Sequence, residues 1–207
     1  MVLILTHEYA RWSPPPRRVI ELDLGCGNGA FLAGLARRYP ERLVVGADVM
    51  LSRLRKADSR CHRGKLGNVE LWRAAAWPLV GDYLPDRCLD RVHIICPEPW
   101  PKRKHRANRL MTSEFCGRLA TKIKPGGILH VATDDAAYWD FIQAAVTPLA
   151  AYAPAPDGCA DVADLKSEFE ETFAARGVAV RHTAWRVRLL SPAPGPGGDG
   201  VFGRGAG

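Results

Sequence analysis

Short apolar runs alternate along most of the chain with stretches in which apolar residues recur every three or four positions. The runs Val19–Leu24, Leu43–Ala47, Val69–Trp72, Arg91–Cys96 and Ile128–Ala132 predict strands. Between them, Ala30–Arg38, Leu51–Cys61 and Leu110–Ile123 carry helical spacing. In the first of these Phe31, Leu32 and Leu35 share a face, and Pro40 marks the end. Lys124-Pro125-Gly126-Gly127 reads as a turn. Such alternation predicts a parallel sheet with helices on both faces. Further on, Ala136–Leu149 and Leu165–Ala175 read as helices, Ala151–Gly158 as a proline-broken loop, and Val178–Leu190 as one or two final strands.

With 207 residues, 47% of them hydrophobic, the chain is long enough for one substantial core and too short for two full-sized domains. Residues 1–18, with Arg11, Trp12 and the triple proline Pro14–Pro16, are expected to form an N-terminal arm. Residues 19–190 are expected to form the domain, and Gly/Pro-rich Ser191–Gly207 a disordered tail. Met1–Leu5 is too short for a signal-peptide core, and no later apolar stretch reaches bilayer length, so a cytoplasmic protein without membrane association is expected. Six scattered cysteines form no C-x-x-C pair, which predicts neither disulfides nor zinc. His62 and His105 stand without partners at ligand spacing, so a metal-independent protein is expected.

Charge adds a partner class. A formal net charge of +7, with Lys and Arg concentrated in a few stretches, favours an acidic partner such as nucleic acid.

The first strand runs into Asp23-Leu24-Gly25-Cys26-Gly27-Asn28-Gly29. In an open α/β sheet, glycines there allow close backbone approach by a ligand, and the following helix offers unpaired N–H groups. Gly25, Gly27 and Gly29 are therefore candidate cofactor-binding residues. Asp48 ends the second strand, at the distance expected of a carboxylate that accepts from both hydroxyls of a ribose. NAD and S-adenosylmethionine both carry that ribose, and Gly25, Gly27 and Ala30 also satisfy the dinucleotide pattern. Asp23, able to reach a cationic amino-acid end, and the lack of a second nucleotide-binding half favour S-adenosylmethionine.

After the fourth strand comes Pro97-Glu98-Pro99-Trp100-Pro101-Lys102-Arg103-Lys104-His105-Arg106, with Arg109 just beyond. Three prolines in five residues fix the backbone around Glu98 and Trp100. Arg103, Lys104, Arg106 and Arg109 are candidates for contacts to phosphate.

In this segment the chain resembles the bacterial tRNA (guanine-N7)-methyltransferase family, whose hallmark is an Asp-Pro-Trp-Pro-Lys-Lys-Arg-His-like stretch after the fourth strand. The resemblance runs from Val19 to Trp185 and includes Asp23–Gly29, Ala132-Thr133-Asp134 with Tyr138, and Ser167-Glu168-Phe169-Glu170 with Phe173 and Gly177. It implies a Rossmann-like class I methyltransferase fold: α/β, with a mostly parallel seven-stranded sheet and helices on both faces. It implies S-adenosyl-L-methionine as cofactor and tRNA as partner, with guanine 46 of the variable loop as the target. It implies cofactor contacts for Asp23, Asp48 and Glu98, and substrate contacts for Lys102 and Asp134. Ser167, Glu168, Phe169 and Glu170 match a segment lining the substrate pocket. The chain departs from the family pattern in having Glu98 for aspartate, Ser167 for threonine, and Asp23 and Asp48 for glutamate. Ala75 stands where the family places an acidic residue near the adenine.

Guanine N7 carries a lone pair and no proton at neutral pH, so the implied reaction needs alignment more than a base. Glu98 is accordingly the candidate catalytic residue, acting with Asp134 by positioning the guanine. A methyltransferase for another substrate, and a tRNA-binding module without cofactor affinity, are the alternatives. Monomer and homodimer both remain open.

Overall fold

The computed structural model describes residues 2–4 and 12–189. Arg11 of the expected arm and the expected tail, Ser191–Gly207, lie outside the described residues.

Strands β1 (Val2–Ile4), β2 (Ile20–Leu24), β3 (Leu43–Asp48), β4 (Val69–Arg73), β5 (Leu89–Ile95), β6 (Ile123–Thr133), β7 (Tyr152–Pro154) and β8 (Arg181–Val187) form one sheet in the order β1-β4-β3-β2-β5-β6-β8-β7. Among the described residues only the β6/β8 and β8/β7 pairings are antiparallel. Every residue of β2 and β3 is buried: β3 is a continuous apolar run up to Asp48, whereas β2 buries Glu21 and Asp23 between its apolar residues.

Helices α1 (Ala30–Arg38) and α2 (Leu51–Arg63) pack Phe31, Leu32, Leu35, Leu54 and Ala57 on one face. On the other, α4 (Ser113–Ala120) and α5 (Ala136–Val146) bring Phe115, Leu119, Tyr138 and Ile142 against Leu22, Val45, Val92 and Leu129. The short helix α3 (Ala76–Pro78) and a π-helical turn, Leu79–Tyr83, close this side, and α6 (Glu168–Ala175) lies near the carboxyl ends of the strands.

Among the described residues the sheet has eight strands where seven are expected. Val2–Ile4 pairs in parallel with Leu71–Arg73, so the beginning of the chain adds an edge strand. The segment expected to be a proline-broken loop contains β7, which tolerates Pro154 at its end because it is an edge. The Lys124–Gly127 turn is a bulge inside β6: pairing passes from Leu89↔Ile123 to Arg91↔Ile128. Local caps shorten two helices. Thr112 accepts from Phe115 N at 3.2 Å to start α4, and Ser167 starts α6 in a capping box with Glu170.

Candidate active site

Chain order in the sheet reverses between β2 and β5, so a crevice opens beyond their carboxyl ends. A cavity of about 640 Å³ lies there, lined among others by Gly25, Asp48, Glu98, Trp100, Asp134 and Phe169. That is an ordinary size for a small-molecule site. A narrow recess of about 20 Å³ shares Gly25 and Phe169 with it and adds Asp23, Gly27, Ser167 and Glu168. A recess of about 710 Å³ at the opposite strand ends is lined by charges that neutralise one another: Glu21 with Arg42, Asp161 with Arg91, and Asp90 with Lys124.

The turn after β2 is built by its own backbone. Gly25 N and Cys26 N both donate to Ala47 O, at 2.8 and 3.1 Å, and Gly25 adopts φ +85°, a left-handed conformation suited to glycine. Gly29 has a packing reason: a Cβ there would stand 2.7 Å from that of Ala57 on α2. Asp48 Oδ2 accepts from Gly27 N at 3.0 Å and Oδ1 from Met50 N at 2.7 Å, which orients its carboxylate at the cavity wall.

Asp23 differs from Asp48. Its side chain is 2% exposed, and Oδ2 has no hydrogen-bond partner among the described residues. Burial, then the nearby Asp48 and Glu170 carboxylates, push its carboxyl up from 3.8 to about 8. A buried acceptor left unpaired is costly, and a cationic ligand group removes that cost. This orphaned oxygen, next to a glycine turn and a ribose-ready Asp48, fits the ammonium-bearing end of S-adenosylmethionine.

Across the crevice, the loop after β5 is held in a strained form. Cys96 and Trp100 bracket Pro97–Pro99 with φ +50° and +44°, conformations that cost non-glycine residues about 1–3 kcal/mol each. Two contacts hold them. Cys96 N donates to Ala132 O at 2.8 Å, and Arg109 Nε donates to Pro99 O at 2.8 Å. The Arg109 guanidinium lies 5.0 and 4.9 Å from the ring centroids of Tyr138 and Phe141. At 6% exposure Arg109 is a strut for the loop, so the expected phosphate contact is corrected: the aromatic face of α5 covers its charge. Lys102, Arg103, Lys104 and Arg106 are exposed, the last three on a 3₁₀ turn (Arg103–Asn108). Lys102 stands beyond Trp100 and does not line the cavity.

Asp134 reaches the cavity because its neighbour Asp135 caps α5, accepting from Tyr138 N at 2.7 Å. Ala74 and Ala76 line the cavity, whereas Ala75 does not, and its carbonyl already accepts from Leu79 N. In the Ser167–Glu170 segment, Ser167 N donates to Glu170 Oε2 at 2.7 Å and Glu170 N to Ser167 Oγ at 3.2 Å. Glu168 and Phe169 are exposed, and Phe169 lies under Arg53, 5.5 Å from its guanidinium. Glu170 is turned inward and buried. Burial alone raises its pKa, but His182 and the N–H and hydroxyl of Ser167 outweigh burial and hold it below 4.5.

Sequence reasoning passed over α2. Its Arg55, Lys56 and Arg63 are exposed and, with Asn28, Ser59 and Arg60, line a shallow groove of about 430 Å³ beside the glycine turn. The signal was legible: six Arg, Lys or His residues stand among the thirteen of α2.

The chain matches the family described as "Putative methyltransferase" over residues 17–182. The tRNA (guanine-N(7)-)-methyltransferase of Magnetococcus marinus is 35% identical over 176 residues, covering 83% of this chain and 69% of that protein. Its counterpart in Thermus thermophilus is 30% identical over 205 residues, covering 94% and 64%. The chain thus spans about two thirds of the length of each, between 64% and 69%. Among solved structures, the 16S rRNA methyltransferase KamB aligns with a TM-score of 0.60 at 19% identity over 83% of this chain and 88% of that one, a likeness of fold alone. The sheet is accordingly that of a class I methyltransferase, and with identity of this order sustained over four fifths of its length, the chain belongs to the tRNA (guanine-N(7)-)-methyltransferase family.

Proposed function

We propose that this chain transfers a methyl group from S-adenosylmethionine to N7 of a guanine in tRNA, at position 46 of the variable loop. The observation that carries this reading is the pairing across one crevice of an orphaned buried carboxylate, Asp23, with a strained loop that presents Glu98 and leads into exposed cations. S-adenosylmethionine supplies an electrophilic methyl group. Asp23 takes its ammonium, the Gly25–Gly29 turn its amino-acid end, and Asp48 the ribose hydroxyls. Glu98 and Asp134, both on the cavity wall, accept from guanine N1–H and the exocyclic amine and leave N7 free to attack. Trp100 offers a ring face against which a base can stack. Lys102, Arg103, Lys104 and Arg106 hold the tRNA backbone outside the cavity, and the exposed α2 cations extend that surface.

Incubation with methyl-labelled cofactor and tRNA, followed by borohydride–aniline cleavage, tests the reading. Cleavage at guanine 46 supports it. Label in tRNA without cleavage shows a different acceptor atom. Retained tRNA binding with no cofactor heat in calorimetry supports instead a binding module, the reading favoured by the lack of a carboxylate in Ala74-Ala75-Ala76.

A further inference from the structure

The α1 side of the sheet carries a continuous line of polar side chains that the reaction above does not use. Strand register places Asp23, His93 and His130 side by side across β2, β5 and β6, and sets His182 opposite Ala132, two residues further along β6. Phe31 covers the line, its ring centroid 4.9 Å from that of His93 and 6.4 Å from that of His130. Glu21 Oε2 lies 2.8 Å from His93 Nε2, His93 Nδ1 3.0 Å from His130 Nδ1, and His130 Nε2 3.1 Å from His182 Nδ1. His182 Nε2 is 3.2 Å from Glu170 Oε1. Glu21, His93, His130 and Glu170 are all at most 3% exposed.

The three contacts from Glu21 to His182 are hydrogen bonds and need three protons, whereas Glu170 Oε1, 3.2 Å from His182 Nε2, has no hydrogen-bond partner among the described residues. Three neutral imidazoles bring three, and an ionised carboxylate at either end brings none. If His93 gives its Nε2 proton to Glu21, its Nδ1 must accept from His130 Nδ1, and His130 Nε2 from His182 Nδ1. His182 Nε2 then has a proton for Glu170 only if that ring is doubly protonated. Burial lowers the pKa of both His93 and His130, which disfavours charge on those rings. His182, with a side chain 24% exposed, is the ring of the three that reaches solvent.

The far end of this line holds a helix. Glu170 is the sole buried residue of α6, whose Phe169 and Phe173 line the cavity. The helix is therefore anchored by a carboxylate where most helices use an apolar stripe. A proton on His182 Nε2 attracts that anchor, and a bare lone pair repels it.

We propose that Glu21, His93, His130 and His182 form a proton-ordered relay that positions Glu170 and so seats α6 over the cavity, with His182 as a positioning residue for the site. The charged groups facing the relay are Arg42, Arg91 and Asp161 at the Glu21 end. At the other end are Lys166, 4.0 Å from Glu170 Oε1, and Asp23, with the thiol of Cys96 near Glu170. Arg42 and Arg91 balance Glu21, so the fourth proton matters most beside Glu170 and Asp23.

The deciding measurement, amide exchange in the full chain, needs no methyl transfer, so its failure is separable from failure of the proposed function on which the kinetic readout rests. His182→Leu removes the donor, and His182→Gln restores a neutral one. Amide hydrogen exchange in residues 168–175 should accelerate by about tenfold or more in the leucine variant, stay within about threefold of wild type in the glutamine variant, and leave β2, β3 and β5 unchanged. With tRNA as substrate, kcat/KM should fall by on the order of 10²-fold in the leucine variant and recover in the glutamine variant. Equal α6 protection in His182→Leu and wild type, or glutamine no better than leucine, overturns the proposal. Should the leucine variant fail to fold, nitrogen NMR of the wild-type imidazoles decides: a doubly protonated His182 at neutral pH supports the relay, and a bare Nε2 overturns it.

Discussion

Loading the site with cofactor should expel a proton, and the number expelled follows from Asp23. Its carboxyl, raised to about 8 by burial and by Asp48 and Glu170, is protonated to about nine-tenths at pH 7 and almost fully at pH 6. An ammonium placed against the unpartnered Oδ2 favours the ionised form. Binding should therefore release about 0.9 proton at pH 7 and about one at pH 6. Ionising the group at pH 7 costs ~1.4 kcal/mol, so the apparent affinity should rise about tenfold between pH 6 and pH 7. Calorimetry in buffers of different ionisation enthalpy reads the proton count as a slope. Asp23→Asn keeps the shape and removes the proton, so its slope should vanish. A hydrogen bond to a charged group is worth about 1.5–3 kcal/mol, and net of the ionisation cost the variant should bind about tenfold more weakly or less at pH 7. A buffer-independent enthalpy in the wild type, or an affinity flat from pH 6 to pH 7, would refute the assignment of Asp23 to the ammonium.

The same carboxyl has a consequence for the ligand-free protein, with a fixed sign. Its folded pKa is raised, so the folded state holds a proton that the unfolded state releases near 3.8. Stability therefore declines as pH rises from about 4 towards 8, where the folded carboxyl also ionises. Asp23→Asn should melt at a higher temperature than wild type at pH 7 without cofactor, and should gain less from added cofactor.

Other substitutions test the rest of the site. Glu98→Ala and Asp134→Ala should cut methyl transfer by on the order of 10²-fold while tRNA retention on a filter stays near wild type; equal loss of both would remove these residues from guanine positioning. Neutralising Lys102, Arg103, Lys104 and Arg106 one at a time should each flatten the dependence of log K on log salt by ~0.7, whereas Arg109→Ala should leave that slope alone and lower the melting temperature. Gly29→Ala puts a methyl 2.7 Å from Ala57 Cβ at φ +75°, and should cost about 2–5 kcal/mol in denaturant unfolding; a wild-type midpoint would mean that α1 and α2 can part more easily than their packing implies.

The central strands were legible because burial on both faces forces unbroken apolar runs such as Leu43–Ala47, and their carboxyl ends carry glycine and aspartate in plain view. The edges were not. Three-residue strands like Val2–Ile4 and Tyr152–Pro154 owe their form to a neighbour's free ladder, and each spans only a single period of strand alternation, too little to stand out from a loop. Arg109 was misread because a basic run has no internal mark of which member turns inward. Proximity to Tyr138 and Phe141 on a later helix decided that. The relay was beyond reach for the same reason: His93, His130 and His182 are 37 and 52 residues apart and meet only once β5, β6 and β8 are in register.

Charge in this site is sorted by depth, and the sorting explains why one crevice takes two ligands of opposite sign. Asp23, Asp48 and Glu170 crowd the floor, where burial and then the other two carboxylates raise the pKa of Asp23, and Glu170 has Lys166 4.0 Å away. Glu98 and Asp134 stand on the wall, and Lys102, Arg103, Lys104 and Arg106 point to solvent at the rim. Moving a rim cation inward would relieve the floor, and would also fill the place that an ammonium takes. Among the described residues none pairs with Asp23 Oδ2, a local instability that the ammonium of the proposed cofactor would relieve. The strained Cys96–Trp100 turn is what keeps the two zones apart, since it spans the wall between the buried end of β5 and the exposed 3₁₀ turn. Arg109 holds that turn from behind with a charge shielded by aromatic rings, so it braces the boundary without adding a cation to either side.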